Sequence, residues 1–191
     1  SNTRLMMTYG LDVISTIDFL ELLNNDPNDI FYRHLDLDHI GAVGHSTGGG
    51  GIIYASLIDQ RIKAIIGLDA WVEPIRDFLA MKSLNVPSLF LRSEAWEEVP
   101  NNDVLLPMID ASNQETSLYR ILGTTHYDFA MVYMYTSLAK PLGFSGSIDT
   151  NIMIDIMFAS HISFFNKHLK NQIYITNWTL IDDVELIQQT K

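Results

Sequence analysis

The chain has 191 residues, 47% of them hydrophobic and 18% charged, and carries a net charge of −11. That balance excludes an intrinsically disordered chain. It argues against nucleic-acid binding, which needs a basic footprint on the phosphates, and docking on an anionic membrane would meet long-range repulsion. With no cysteine, disulfide frameworks, thiolate metal sites and cysteine nucleophiles are excluded as well.

Taken in chain order, Leu11, Ile14, Ile17, Phe19, Leu20 and Leu23 recur at largely helical spacing, and Asn24-Asn25-Asp26-Pro27 breaks the pattern. A surface helix over 5–23 and a polar linker are predicted. Ile40-Gly41-Ala42-Val43-Gly44 is too brief for a helix and reads as a strand, with helical character following over 48–57. Apolar runs at 62–68, 86–91 and 118–122, each flanked by Pro, Gly, Asp or Asn, read as buried parallel strands. The longest clear helix spans 148–169, where Ile152, Ile156, Ala159, Ile162, Phe165 and Leu169 form a stripe behind Asp149 or Thr150 as N-cap. The acidic stretch Ile181-Asp182-Asp183-Val184-Glu185 reads as a solvated tail. Strands alternating with helices predict an α/β fold, a parallel sheet covered on both faces. No Pro- or Ser-rich linker divides it, so one domain over 1–191 is expected, and no run approaches the ~20 apolar residues of a spanning helix.

Gly44-His45-Ser46-Thr47-Gly48 is G-x-S-x-G placed between a strand and a helix, where that motif has mechanical meaning. The serine must occupy a strained turn, and the small Gly44 and Gly48 let strand and helix pass close together. Chance is a weak rival, since roughly 0.06 such motifs are expected in a chain of this length. A phosphate loop fits worse because no Lys follows the glycines. The helix start that follows, with free N–H groups and a positive dipole end, would favour an oxyanion, with the backbone N–H of Thr47 as one donor.

A serine becomes a nucleophile only beside a base, and the base needs a carboxylate to hold its tautomer. Of the six histidines, His45 sits inside the turn and is expected to point away, His34 and His39 precede it, and His161 and His168 belong to the last helix. His126 remains, in a loop after the 118–122 strand, where catalytic side chains of parallel sheets gather. For the acid, Asp69 follows the 62–68 strand and gives the order Ser, Asp, His, while Glu94 or Glu97 after the next strand competes. Residue chemistry alone leaves these open.

Together, Gly44-His45-Ser46-Thr47-Gly48-Gly49, Leu68-Asp69-Ala70-Trp71, the His126 loop, and 148–169 ending in Lys167-His168-Leu169 resemble the plasma-type platelet-activating-factor acetylhydrolase family. The likeness runs from about residue 40 to about residue 169. It implies an α/β-hydrolase fold with dienelactone-hydrolase-like relatives, calcium-independent serine esterase activity on short or oxidised acyl chains of phospholipids, and no metal or cofactor. It also implies Asp69 as the acid, with Glu94 the alternate. Trp71 and Tyr127, adjacent to these residues, are candidates to line an acyl pocket, with core packing an equal reading.

A sheet of this kind normally has several strands before the nucleophile, and a loop there donates a second oxyanion N–H. The residues before Ser46 read as one helix and a linker, so the expected fold is the C-terminal half of a longer esterase, inactive alone if the second donor is lost at a cost of about 10²–10³ in rate. Residues 129–144, with Met131, Val132, Tyr133, Met134, Tyr135, Leu138, Leu142 and Phe144, are too apolar for an ordinary exposed loop. A peripheral lipid contact or a homo-oligomer contact is expected there. Against the esterase reading stands a catalytically inactive module of the same fold; a dienelactone- or polyester-type hydrolase would use the same triad on another ester.

Overall fold

The computed structural model describes residues 1–173 and 175–190. Helix α1 (Asn2–Asn25) ends where Asp26 turns extended ahead of Pro27, and a run of turns leads to strand β1 (Ile40–His45). Helix α2 (Thr47–Ile58), β2 (Ile62–Leu68), the single-turn α3 (Arg76–Leu79), β3 (Ser88–Ser93), α4 (Asn102–Asp110), β4 (Thr116–Ile121), α5 (Thr150–Lys170) and β5 (Val184–Thr190) follow. The expected elements are present. The third strand starts two residues later than its apolar run, because Pro87 has no N–H to give a ladder. Asp149 caps α5, its carboxylate accepting from the Asn151 and Ile152 N–H groups, and Lys167, His168 and Lys170 sit in the last turn, as the helix dipole favours.

The five strands lie in the order β1-β2-β3-β4-β5, with the first four parallel. Parallel strands joined by helical crossovers need both faces covered, and the burial of β2 and β3 meets that condition. On one face α1, α2 and α4 enclose Ile53, Ile62, Ile65, Phe90, Ile109 and Leu118; on the other α5 and the 178–184 segment enclose Ile66, Leu89, Leu91, Ile121, Ile156 and Trp178.

The acidic stretch at 181–185 is not a solvated tail. It leads into β5, which pairs antiparallel with β4, Val184 opposite Ile121 and Leu186 opposite Tyr119. Of its three carboxylates, Glu185 finds a partner across the strands, sharing Arg120 with Glu97, while Asp182 stays exposed. Two carboxylates hold this guanidinium, Glu185 foremost, raising its pKa above the ordinary value. Among the described residues, no helix is long and apolar enough to cross a membrane.

Candidate active site

The residues singled out as chemically competent gather at the C-terminal ends of the strands. Ser46 sits at the junction of β1 and α2 with φ 56° and ψ −122°, a conformation that costs a non-glycine residue of order 1–3 kcal/mol and is held only where its surroundings insist. Here they do: the Ser46 N–H donates to Leu68 O at 3.0 Å, and Ser46 O accepts from Trp71 N–H at 2.9 Å and Gly50 N–H at 3.2 Å.

The packing reason for the glycines differs in part from the expected one. A Cβ on Gly44 would lie 2.4 Å from Gly48 O, so that position has no room for a side chain. A Cβ on Gly48 would meet nothing within 4 Å, whereas one on Gly49 would lie 2.7 Å from Ala70. Gly44 and Gly49 are the close-approach pair, and Gly48 matters for where its carbonyl runs.

Asp69, 2% exposed, also holds a positive φ, 40°. Its carboxylate accepts the Ser93 N–H at 2.7 Å on Oδ1, and Ser93 Oγ–H at 2.5 Å and His126 Nδ1–H at 3.0 Å on Oδ2. A carboxylate only accepts, so this contact places the His126 proton on Nδ1 and leaves Nε2 as the basic nitrogen. Glu94, the alternate, takes the Gly123 N–H at 2.7 Å from an exposed position and makes no hydrogen bond to His126; Glu97 is engaged by Arg120. Among the described residues no hydrogen bond joins Ser46 Oγ to His126, a looseness common before substrate binds.

His45 does not point away. Its Nε2–H donates to the backbone carbonyl of His126 at 3.0 Å, and the two rings lie 4.4 Å apart at 39°. Burial, followed by the neighbouring His126, lowers its pKa. Trp96 lies parallel to the His126 ring at 4.3 Å and 3°. Both contacts join segments far apart in sequence, so no local pattern announces them.

A further group that composition did not reveal is Asp128, fully buried. It accepts Thr125 N–H at 2.7 Å, Thr125 Oγ–H at 3.1 Å, Gly146 N–H at 2.9 Å and Ser145 Oγ–H. One carboxylate thus closes the turn that carries His126 and ties it to the far end of the 129–144 segment. Asn101 does similar work beside Asp69, accepting Val72 N–H and Glu73 N–H and donating to Ala70 O. For Asp128, its place two residues after His126 is the sequence signal available.

Of the pocket candidates, Tyr127 is half-exposed and meets Phe144 edge-on at 5.7 Å, while Trp71 packs partly against the α1/α2 core. Met134, Tyr135, Leu138 and Leu142 are exposed in the same region. The described residues include no cluster of three or more His, Asp or Glu able to hold a metal ion.

A mostly parallel sheet in chain order, a serine strained between strand and helix, and an aspartate and a histidine beyond later strand ends define an α/β-hydrolase. The solved ferulic acid esterase from Streptomyces cinnamoneus superposes with a TM-score of 0.74 at 17% identity, covering 98% of this chain and 56% of that one, a likeness of fold. The model of the family described as platelet-activating factor acetylhydrolase, isoform II, matches residues 21–188, and the chain belongs to that family. The platelet-activating factor acetylhydrolase of Canis lupus familiaris is 32% identical over 139 residues, covering 71% of this chain and 30% of that protein. The Gallus gallus protein of the same name is 30% identical over 173 residues, covering 86% and 40%. The chain thus spans between three and four tenths of the length of these relatives.

Proposed function

We propose that this chain carries the Ser46, Asp69 and His126 triad of a serine carboxylester hydrolase, acting on phospholipid-type esters with short acyl chains. The observation that carries the reading is the His126 Nδ1–Asp69 Oδ2 contact of 3.0 Å, made by two residues 57 apart at strand ends beside a strained serine. Family membership supports the same chemistry.

In this reading Ser46 Oγ attacks the ester carbonyl as its proton passes to His126 Nε2, and Asp69 stabilises the imidazolium. The tetrahedral oxyanion meets Thr47 N–H at the start of α2. Collapse breaks the carbonyl–alkoxy bond, and His126 returns the proton to the departing alcohol. Water then gives a proton to His126 and its oxygen to the acyl carbon, and Ser46 leaves as the carboxylic acid is released. No cofactor enters either half. Trp71 and Tyr127 border the acyl group, and the exposed apolar residues of 129–144 contact a zwitterionic lipid surface, which the negative charge of the chain would not oppose.

The test is intact mass after exposure to a fluorophosphonate probe, with Ser46→Ala as control. One adduct per folded chain, absent from the variant, is the expected result. A folded chain that takes no label would overturn the reading in favour of an inert hydrolase-like module. A label with turnover confined to lactones or polyesters would move the substrate class.

A further inference from the structure

His45 stands immediately before the nucleophile, at the end of β1, and its ring reaches across to the loop after β4. The hydrogen bond from its Nε2–H to the His126 carbonyl links residues 81 apart. A carbonyl only accepts, so this bond requires the Nε2–H tautomer, and burial keeps the imidazole neutral near pH 7. A neutral ring whose donor is spent on a backbone carbonyl is not poised to shuttle a proton.

Its placement suits another task. His126 is held at Nδ1 by Asp69 on β2's end, against its ring by Trp96, and at its backbone carbonyl by His45. The first two holds restrain the ring relative to β2 and β3. The third ties His126 to the residue covalently joined to Ser46, and so links the nucleophile's strand directly to the loop that carries the base. A displacement of about 1 Å between such groups can cost on the order of a hundredfold in rate. We infer that His45 is a positioning residue, setting the reach from His126 to Ser46 through the His126 carbonyl. The inference rests on the triad reading above and deepens it.

Three variants of the full chain test it. His45→Gln keeps an amide donor near the original Nε2, His45→Leu keeps the bulk without a donor, and His45→Asn keeps a donor too short to reach. Melting temperature, Ser46 labelling rate by a fluorophosphonate, kcat and KM for p-nitrophenyl acetate, and the His126 ring signals in ¹H–¹³C NMR spectra are the readouts. The Leu and Asn variants are expected to fold and to melt lower by about 2–4 °C, to lose about tenfold in kcat and labelling rate, and to hold KM within about twofold. Gln should recover at least half of the lost rate; a hydrogen bond that serves only the fold would move the melting temperature and leave kcat alone.

A folded Leu variant with kcat within about twofold of the parent, or a Gln variant as impaired as Leu, overturns the inference; if Leu does not fold, Asn decides. Should the parent chain neither take label nor turn over ester, the triad reading fails separately, and the NMR arm still judges His45. His126 ring signals that shift or broaden in Leu but not in Gln uphold the positioning, and signals unmoved in both overturn it.

Discussion

The two ends of the candidate site are held by opposite means. Around Ser46, geometry depends on atoms that are missing: a Cβ on Gly44 would strike Gly48 O, and one on Gly50 would lie 2.2 Å from Trp71 O and 2.3 Å from Met6 Sδ. Around His126, geometry depends on polar side chains that must be present, with Asp128, Asp69 and His45 each holding a different atom of the turn. The first kind of restraint is short in sequence and fails by crowding. The second reaches over long intervals and fails by losing a partner, which leaves buried polar groups unpaired at a cost of about 1–3 kcal/mol each.

The histidine end breaks most sharply at Asp69, whose carboxylate joins His126 to Ser93. Asp69→Asn should lower kcat/KM by about 10⁴ with the fold intact, measured on a soluble ester beside circular dichroism, because the histidine then rests in the wrong tautomer. Next, Gly50→Ala should crowd the serine side, costing about 1–3 kcal/mol and lowering the melting temperature by roughly 3–10 °C in a calorimetric scan. On the histidine side, Asp128→Asn puts an NH₂ among donors, and both melting temperature and Ser46 labelling rate should fall, the rate by about tenfold. A variant that lost stability alone would show that the turn keeps its shape without this carboxylate.

A smaller effect follows from pH. Burial lowers the pKa of His45, His161 and His168 from 6.5, so the unfolded chain takes up protons below about pH 6.5 while the folded rings resist. More protons on the unfolded state means that stability rises with pH in that window, is complete above it, and is lost as pH falls through it. Melting temperatures at pH 7.5 and 5.5 should show the drop, and His161→Gln should make it smaller. Smallest on a soluble ester is Leu138→Asp, expected to leave turnover within about twofold yet to reduce co-sedimentation with phosphatidylcholine vesicles. Unchanged sedimentation would remove the lipid contact, and a dimer dispersed by the same change would reassign the surface to self-association.

Much of the architecture was legible because its signals are local. The helix and strand periodicities, the Asp149 cap and the G-x-S-x-G turn each lie within one short window. Asp69 and His126 could be put forward because strand ends collect chemistry, though only the folded chain brings their side chains to 3.0 Å. β5 was illegible for a different reason: Glu185, Gln188 and Gln189 look solvated until Arg120 on a strand 65 residues earlier is set opposite Glu185. The expectation for His45 fails because the G-x-S-x-G pattern describes the backbone around the serine and says nothing of where its neighbour's ring can reach.

Because the strands lie in chain order, the sheet can grow by adding each new strand to the last, and each addition closes only one crossover. Yet Ser46 hangs from the first strand, Asp69 from the second, its partner Ser93 from the third and His126 beyond the fourth. No stack of fewer than four strands holds the set. If Ser46 is the nucleophile proposed above, a chain that has not yet added its fourth strand exposes apolar surface but presents no assembled site, so Ser46 labelling would count the molecules that have passed that point in a mixed preparation, which spectroscopy of helix content cannot do.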